Sequence, residues 1–215
     1  MKIRQWVALA AISVATSAFA QSWPTRPVTF VVPTSPGGAV DSLARALAEE
    51  MGRRIGQPVI VDNKAGASGI LAAQAVARAA PDGHTVLVTT STPILNAPFM
   101  FAKVPYDAQR DLAFVTQICA GQLLFTVNTD LVPARNMKEF LAWAQTHKGR
   151  VNYGSYGVGT VGHLMGAYLS QSRSLDMVHV GYKGEAPMLQ DLLGGQVAWG
   201  ITSAASSAPY LKSGK

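Results

Sequence analysis

The chain has 215 residues, of which 48% are apolar and 14% are charged, and its formal net charge is +6. This composition excludes a disordered or collagen-like chain and is sufficient for a packed core. The basic residues are scattered, so we expect no nucleic-acid partner. An anionic small molecule and a purely solubilising role would each explain the positive charge.

The first twenty residues have the pattern of an export signal. A basic start is followed by an apolar run over residues 6–14 and by small residues that end at Ala18-Phe19-Ala20. The run is much shorter than the roughly 20 residues that span a bilayer, and the A-x-A ending is typical of a cleavage site. We therefore predict a signal peptide over residues 1–20 that is cleaved after Ala20.

The first half of the mature chain alternates strands with helices. Apolar spacing predicts strands over 28–32, 58–61 and 85–88, helices over 40–51 and 70–80, and a glycine-rich loop over 63–69, with Gly52 ending the first helix. Because strands that alternate with helices form parallel sheets, we expect a mostly parallel sheet covered on both faces.

The second half repeats the pattern after a lapse around residues 105–111. We predict strands over 114–118, 123–127, 151–153, 177–180 and 197–201, and helices over 137–147, 163–170 and 185–193, the first of them opened by a capping box of Asn136 and Glu139. The lapse suggests two α/β lobes, over 21–105 and 106–215. The single cysteine, Cys119, cannot form an internal disulfide and is expected to be buried.

Two loops join a strand to the N-terminus of a helix, over 33–41 and 154–163. Free N–H groups and the helix dipole favour an anion there, and ligands of open α/β sheets bind outside the carboxyl ends of the strands. The loops predict a cleft for a carboxylate, with glycines for close approach and hydroxyls as donors: Gly37, Gly38, Gly157, Gly159, Gly162, Thr34, Ser35, Ser155 and Thr160. Ordinary turns would also be rich in these residue types.

Two further residues in these loops have alternative roles. Asp41 lies in the first turn of its helix, where a carboxylate usually interacts with the dipole. It could also accept a hydrogen bond from a water molecule or from the ammonium group of a ligand. His163 could donate a hydrogen bond to a ligand oxygen or to its own loop.

Signatures of an enzyme are weak. Gly157-Val158-Gly159-Thr160-Val161-Gly162 matches G-x-G-x-x-G, but a dinucleotide site needs an acidic residue at the end of the next strand, and Asp176 precedes that strand. Neither Ser68 nor Ser155 has the flanking glycines of a G-x-S-x-G elbow. The four histidines lack metal-ligand spacing. We predict no catalytic residue, metal or cofactor. The alternative is an exported hydrolase that uses Ser155 or His163 on a carboxylate ester.

Several ordered motifs resemble those of one family. They are Trp23-Pro24-Thr25-Arg26-Pro27, the run 31–41, Asp62-Asn63-Lys64-Ala65-Gly66-Ala67-Ser68-Gly69, Pro81-Asp82-Gly83-His84-Thr85, Val104-Pro105-Tyr106-Asp107, the run 152–164, Val180-Gly181-Tyr182-Lys183-Gly184 and Leu193-Gly194-Gly195-Gln196-Val197. Together they resemble the Bug family of periplasmic solute receptors, which serve tripartite tricarboxylate transporters. The resemblance covers essentially all of the mature chain.

This resemblance implies a two-lobe periplasmic-binding-protein fold, type II-like, in which each lobe is a mostly parallel sheet flanked by helices. It implies a monomeric receptor in the periplasm that closes on a small carboxylate and delivers it to the permease subunits in the membrane, without catalysis. Residues 182–184 are expected beside the cleft. The ligand contacts that it implies are Thr34, Ser35, Pro36, Gly37, Gly38, Asp41, Thr90, Ser91, Ser155, Tyr156, Gly157, Gly159, Thr160, His163 and Tyr182.

The chain departs from the family pattern in three places. After Gln196-Val197, where relatives have a polar triplet, this chain has Trp199-Gly200-Ile201-Thr202-Ser203, and Gly181 replaces a usual proline. Relatives continue beyond Lys215 with a strand that returns to the first lobe. The resemblance therefore implies that this C-terminal return is missing, and a non-functional truncated receptor is a further alternative.

Overall fold

The computed structural model describes residues 23–211. The predicted signal peptide and its cleavage site lie outside this range. Within it, no helix has the length and apolar character needed to cross a membrane. The elements in chain order are β1 (Val28–Val32), α1 (Ala39–Ile55), β2 (Val59–Asn63), α2 (Ile70–Ala77), β3 (Thr85–Leu87), α3 (Ala97–Met100), α4 (Ala108–Asp111), β4 (Leu123–Val127), α5 (Met137–Thr146), β5 (Asn152–Ser155), α6 (Val161–Ser172), β6 (Val178–Gly181), α7 (Glu185–Leu193), β7 (Trp199–Ser203) and α8 (Ala204–Leu211).

The first sheet is parallel throughout and has the strand order β2-β1-β3. Its central strand β1 is almost completely buried and packs against Ala44 and Ala48 of α1. These small side chains let the helix lie close to the strand. The alternation of strands and helices thus produced the parallel sheet that the sequence predicts.

The second sheet has the order β4-β7-β5-β6. β5 pairs in parallel with β6 and β7, whereas β4 is antiparallel to β7 at the edge. Its core is aromatic: Trp199 is 1% exposed and stacks on Phe125 and Tyr153 with ring centroids 4.6 and 5.0 Å apart. The bulky Trp199 therefore fills the core of this sheet.

The first helix extends further than its sequence pattern predicts. Gly52 was expected to end it, but α1 continues to Ile55 and ends at Gly56, whose φ of 68° is left-handed. Gly52 lies inside the helix because its backbone packs closely on the following segment, where an added Cβ would meet the Gln57 carbonyl oxygen at 3.3 Å. Close packing, rather than a stop signal, explains this glycine.

The expectations for residues 114–119 are wrong. The run 114–118 is not a strand, and Phe114 and Val115 are 66% and 85% exposed. Cys119 is exposed rather than buried. The run has β-forming residues, but within residues 23–211 it lies in neither sheet, and an apolar extended segment is a strand only when a neighbour pairs with it.

Candidate ligand-binding site

A small cavity lies where the carboxyl ends of strands from both sheets meet. Its volume is about 40 Å³, and its lining residues are Pro33, Gly66, Ala67, Ser68, Gly69, Tyr156, Tyr182 and Lys183. Pro33 follows β1, residues 66–69 follow β2, Tyr156 follows β5, and residues 182–183 follow β6. The cavity thus occupies the position at which open α/β sheets bind ligands.

Hydrogen bonds join the loops of the two sheets beside this cavity. The backbone N–H and the hydroxyl of Ser35 both donate to the Lys183 carbonyl, each at 3.0 Å. The Asn96 side-chain amide donates to the Gly159 carbonyl at 2.8 Å. Gly184, with a φ of 153°, lies so close that an added Cβ would meet the Ser35 nitrogen at 3.0 Å. The two sheets are therefore in direct polar contact around the cavity.

Asp41 organises the first loop. Its side chain is buried, and one carboxylate oxygen accepts from Gly37 N at 2.9 Å and from Arg45 Nε at 3.0 Å. The other accepts from Asn63 Nδ2 at 2.9 Å. Burial alone would raise the pKa of Asp41, but the hydrogen bonds from Arg45, Gly37 and Asn63 outweigh it, so the pKa is lowered. Asp41 is thus an ionised residue that interacts with its own loop.

The hydroxyl of Thr34 is buried in the same loop as Asp41 but, unlike that carboxylate, lacks a hydrogen-bond partner among the described residues. The carbonyl of Thr34 accepts from Asn63 Nδ2 at 3.0 Å, which ties this loop to the end of β2. A buried hydroxyl without a partner is unfavourable unless a water molecule or a ligand satisfies it.

The second loop is held by internal hydrogen bonds from side chains. The fully buried Ser155 hydroxyl accepts from Gly157 N at 3.2 Å and donates to the Gly157 carbonyl at 3.1 Å. Thr160 donates to the same carbonyl at 2.7 Å and caps α6. Both hydroxyls, predicted as ligand donors, therefore have partners within the loop.

Two histidines pack behind this loop. The rings of His163 and His179 have centroids 4.5 Å apart. His163 Nδ1 accepts from Gly159 N at 3.1 Å, so His163 interacts with its own loop as an acceptor. Burial lowers the pKa of both histidines, and the pKa of His179 is lowered further because its protonated ring would be repelled by a protonated His163. The loop geometry thus depends on a neutral His163.

Ser155 and His179 form the pair that a nucleophile would need, with 2.7 Å between Oγ and Nε2. However, Ser155 has no exposed surface. A substrate carbonyl cannot reach such a hydroxyl without displacing the loop, and nucleophilic catalysis requires an accessible nucleophile. The hydrogen bond between Ser155 and His179 instead fixes the C-terminal end of β5.

Of the predicted contacts, only Tyr156 and Tyr182 line the cavity. The Tyr182 hydroxyl donates to Asp191 at 2.8 Å, so its polar end is bonded to a residue outside the cavity lining. Its pKa is raised by burial and by Asp191. Other predicted residues form the surrounding loops: Thr34, Ser35, Pro36, Gly37, Gly38, Asp41, Ser155, Gly157, Gly159, Thr160 and His163. Thr90 and Ser91 do not line the cavity, and Ser91 instead precedes a helical turn over Thr92–Asn96.

None of the lining residues 66–69 was predicted from the sequence as a ligand contact. Ala67 and Ser68 have φ values of 45° and 54°, a left-handed conformation that non-glycine residues rarely adopt. Such strain is concentrated at functional sites. The signal in the sequence was the short glycine-rich run 63–69, whose conformation could not be predicted from composition.

Two α/β sheets with a polar cavity between their strand ends define the two-lobe periplasmic-binding-protein fold. The model of the tripartite tricarboxylate transporter receptor family matches residues 43–215. The chain belongs to this family, as its sequence motifs indicated.

Individual relatives agree with this assignment. A protein encoded in the tcbD-tcbE intergenic region of Pseudomonas sp. strain P51 is 39% identical over 86% of this chain and 54% of its own length. MatC of Rhodopseudomonas palustris, solved with bound malate, is 33% identical, with a TM-score of 0.82 over 89% of this chain and 65% of its own. A second R. palustris protein, solved with adipate, is 33% identical, with a TM-score of 0.85 over 90% of this chain and 64% of its own. The chain thus spans between half and two thirds of the length of these relatives.

Proposed function

We propose that this protein is an extracytoplasmic receptor that holds a small carboxylate between its two lobes and delivers it to a membrane permease of the tripartite tricarboxylate type. We further propose that it acts in the periplasm as a monomer and catalyses no reaction. The observation that carries this proposal is the position of the cavity, at the carboxyl ends of strands from both sheets.

The chemistry of the lining supports an anionic ligand. Lys183 lines the cavity, and within residues 23–211 its ammonium group takes part in no ion pair. The glycines of the 66–69 loop allow a ligand to approach the backbone closely. The two R. palustris relatives were solved with malate and with adipate, which are both carboxylates.

The proposal predicts that removing the charge of Lys183 weakens binding. In the variant Lys183→Gln, affinity for a bound carboxylate should fall by about tenfold, because an unpaired cation beside the ligand is lost. Isothermal titration calorimetry with acetate, lactate, malate and adipate measures this change. The control is Lys138→Gln on the exposed side of α5, which should bind as the unmodified protein does. Absence of heat from every carboxylate, with binding of a sugar or a nucleotide instead, would refute the proposed function.

A further inference from the structure

Glu185 is a buried carboxylate at the first position of α7 and is 7% exposed. One oxygen accepts from Ala39 N at 3.3 Å and from the hydroxyls of Ser203 and Ser206 at 3.0 Å each. The other accepts from Ser203 N. Four donors from two distant segments of the chain therefore converge on one side chain.

These donors lie at the beginnings of helices. Ala39 is the first residue of α1, and Ser203 directly precedes α8, which contains Ser206, while Glu185 itself begins α7. Helix N-termini carry a partial positive charge and unpaired N–H groups, so they favour an anion. No lysine, arginine or histidine among residues 23–211 forms an ion pair with Glu185. Its charge is thus balanced by helix ends and hydroxyls alone.

Glu185 closely follows the segment of the chain that lines the cavity. Lys183, two residues earlier, is part of the lining, and so is Tyr156, whose pKa is raised by burial and by the charge of Glu185. The cavity is small: a volume of about 40 Å³ has room for roughly three water molecules. A compound with one carboxylate and a short carbon chain matches that volume.

We propose that Glu185 determines ligand specificity: it places a built-in carboxylate where three helices begin, and so restricts the neighbouring cavity to small ligands with a single carboxylate. This inference rests on the proposed function. A second carboxylate on the ligand would meet the charge of Glu185 in place of free helix N-termini, and like charges in a poorly hydrated site repel each other. The ligand class is therefore small monocarboxylates, with acetate and lactate as probes.

Calorimetry on three forms of the full chain tests this assignment. The unmodified protein should bind acetate or lactate at least about tenfold more tightly than malate or adipate. Glu185→Gln keeps an acceptor oxygen but removes the charge, and should reduce this preference severalfold. The exposed control Glu49→Gln should keep it. If the unmodified protein binds the dicarboxylates as tightly as the monocarboxylates, or if Glu185→Gln weakens all four ligands equally, the proposal is wrong while the proposed function stands.

A second measurement isolates the Glu185 position from the cavity. Glu185→Ala empties the position at the three helix starts, so sodium formate has an additional place to bind in this variant. Relative to sodium chloride, formate should therefore raise the melting temperature of Glu185→Ala more than that of the unmodified protein or of Glu49→Ala, in which only the cavity is open to it. A larger rise in Glu185→Ala supports the built-in carboxylate even if no carboxylate binds the unmodified protein. Equal responses in all three proteins would overturn it.

Discussion

Asp41 connects the first loop with α1 and with the end of β2, because its two oxygens accept from Gly37, Arg45 and Asn63. The sequence left open whether this carboxylate interacts with its helix or with a ligand ammonium. With both oxygens engaged and the side chain buried, it is a structural group. Its contribution to stability is therefore open to direct measurement.

Asp41→Ala should lower the free energy of unfolding by about 2 to 3 kcal/mol, since it removes three hydrogen bonds to a buried carboxylate, one of them from the Arg45 guanidinium. Because the pKa of Asp41 is lowered in the folded state, its contribution is present above the unfolded value of 3.8 and is lost as the pH falls through the folded pKa. Urea unfolding near neutral pH measures the difference. The exposed Glu49→Ala should change stability by less than about 0.5 kcal/mol, and an equally small effect of Asp41→Ala would contradict the structural role.

The histidine pair gives the second loop a pH dependence. Burial lowers the pKa of His163 and of His179 below 6.5, so the folded state disfavours protonation. Their contribution to stability is present above the unfolded pKa and declines as the pH falls below it. In the neutral ring, Nδ1 of His163 accepts from the N–H of Gly159. Protonation would place a hydrogen on Nδ1, and this hydrogen bond would be lost.

We therefore expect the melting temperature to decrease as the pH is lowered from about 7.5 to about 5.5. The melting temperature of His163→Asn should decrease less over the same interval. Differential scanning calorimetry at both values gives the comparison. The control is His147→Asn, at the partly exposed position that directly follows α5. The same loss of stability in His163→Asn as in the unmodified protein would contradict this explanation.

At the scale of elements, the sequence correctly predicted the helices and strands whose formation depends on residues close to them in the chain. The capping box at Asn136 is an example: Asn136 accepts from Glu139 N at 3.0 Å, and Glu139 accepts from Arg135 N at 2.8 Å. β1 and α7 have the predicted bounds. The run 114–118 has equally strong β-forming residues but no partner strand within the described residues. A strand needs a distant neighbour, which composition cannot supply.

Loss of this cap should destabilise α5 and the core it covers. Asn136→Ala is expected to lower the free energy of unfolding by about 1 kcal/mol, because the N–H of Glu139 loses its acceptor. Chemical denaturation followed by far-UV circular dichroism provides the value. Lys138→Ala, exposed in the first turn of the same helix, should stay within about 0.5 kcal/mol of the unmodified protein. A similar loss in both variants would contradict a specific role of the cap.

At the scale of the whole molecule, the two lobes meet across a contact with little free space. Gly157 has a φ of 134°, and a Cβ added to it would lie 2.8 Å from the Ser68 hydroxyl oxygen. Gly157 belongs to the loop of the second lobe and Ser68 to the loop of the first. The absence of a side chain at Gly157 thus lets the lobes approach as closely as they do.

Gly157→Ala should therefore weaken carboxylate binding by about tenfold or more, because the added methyl group separates the loops around the cavity. Gly149→Ala is the matched control: its φ of 74° is also unfavourable for alanine, but no atom lies within 4 Å of the added Cβ. The double variant Gly157→Ala with Ser68→Gly should recover part of the affinity, since it removes the opposing hydroxyl. Calorimetry that finds no difference between the two glycine variants would rule out a steric role for Gly157.

The sequence by itself determined the class of fold, most helices and strands, and two of the loops around the cavity, because these depend on apolar spacing, caps and glycine at nearby positions. Only the tertiary structure decided which residues in and around those loops reach the cavity. Ser155, Thr160 and Asp41 bond within their own loops, whereas Ala67 and Ser68 reach the cavity from another strand end. Their roles depend on how the two sheets pack, and that packing joins residues far apart in the chain.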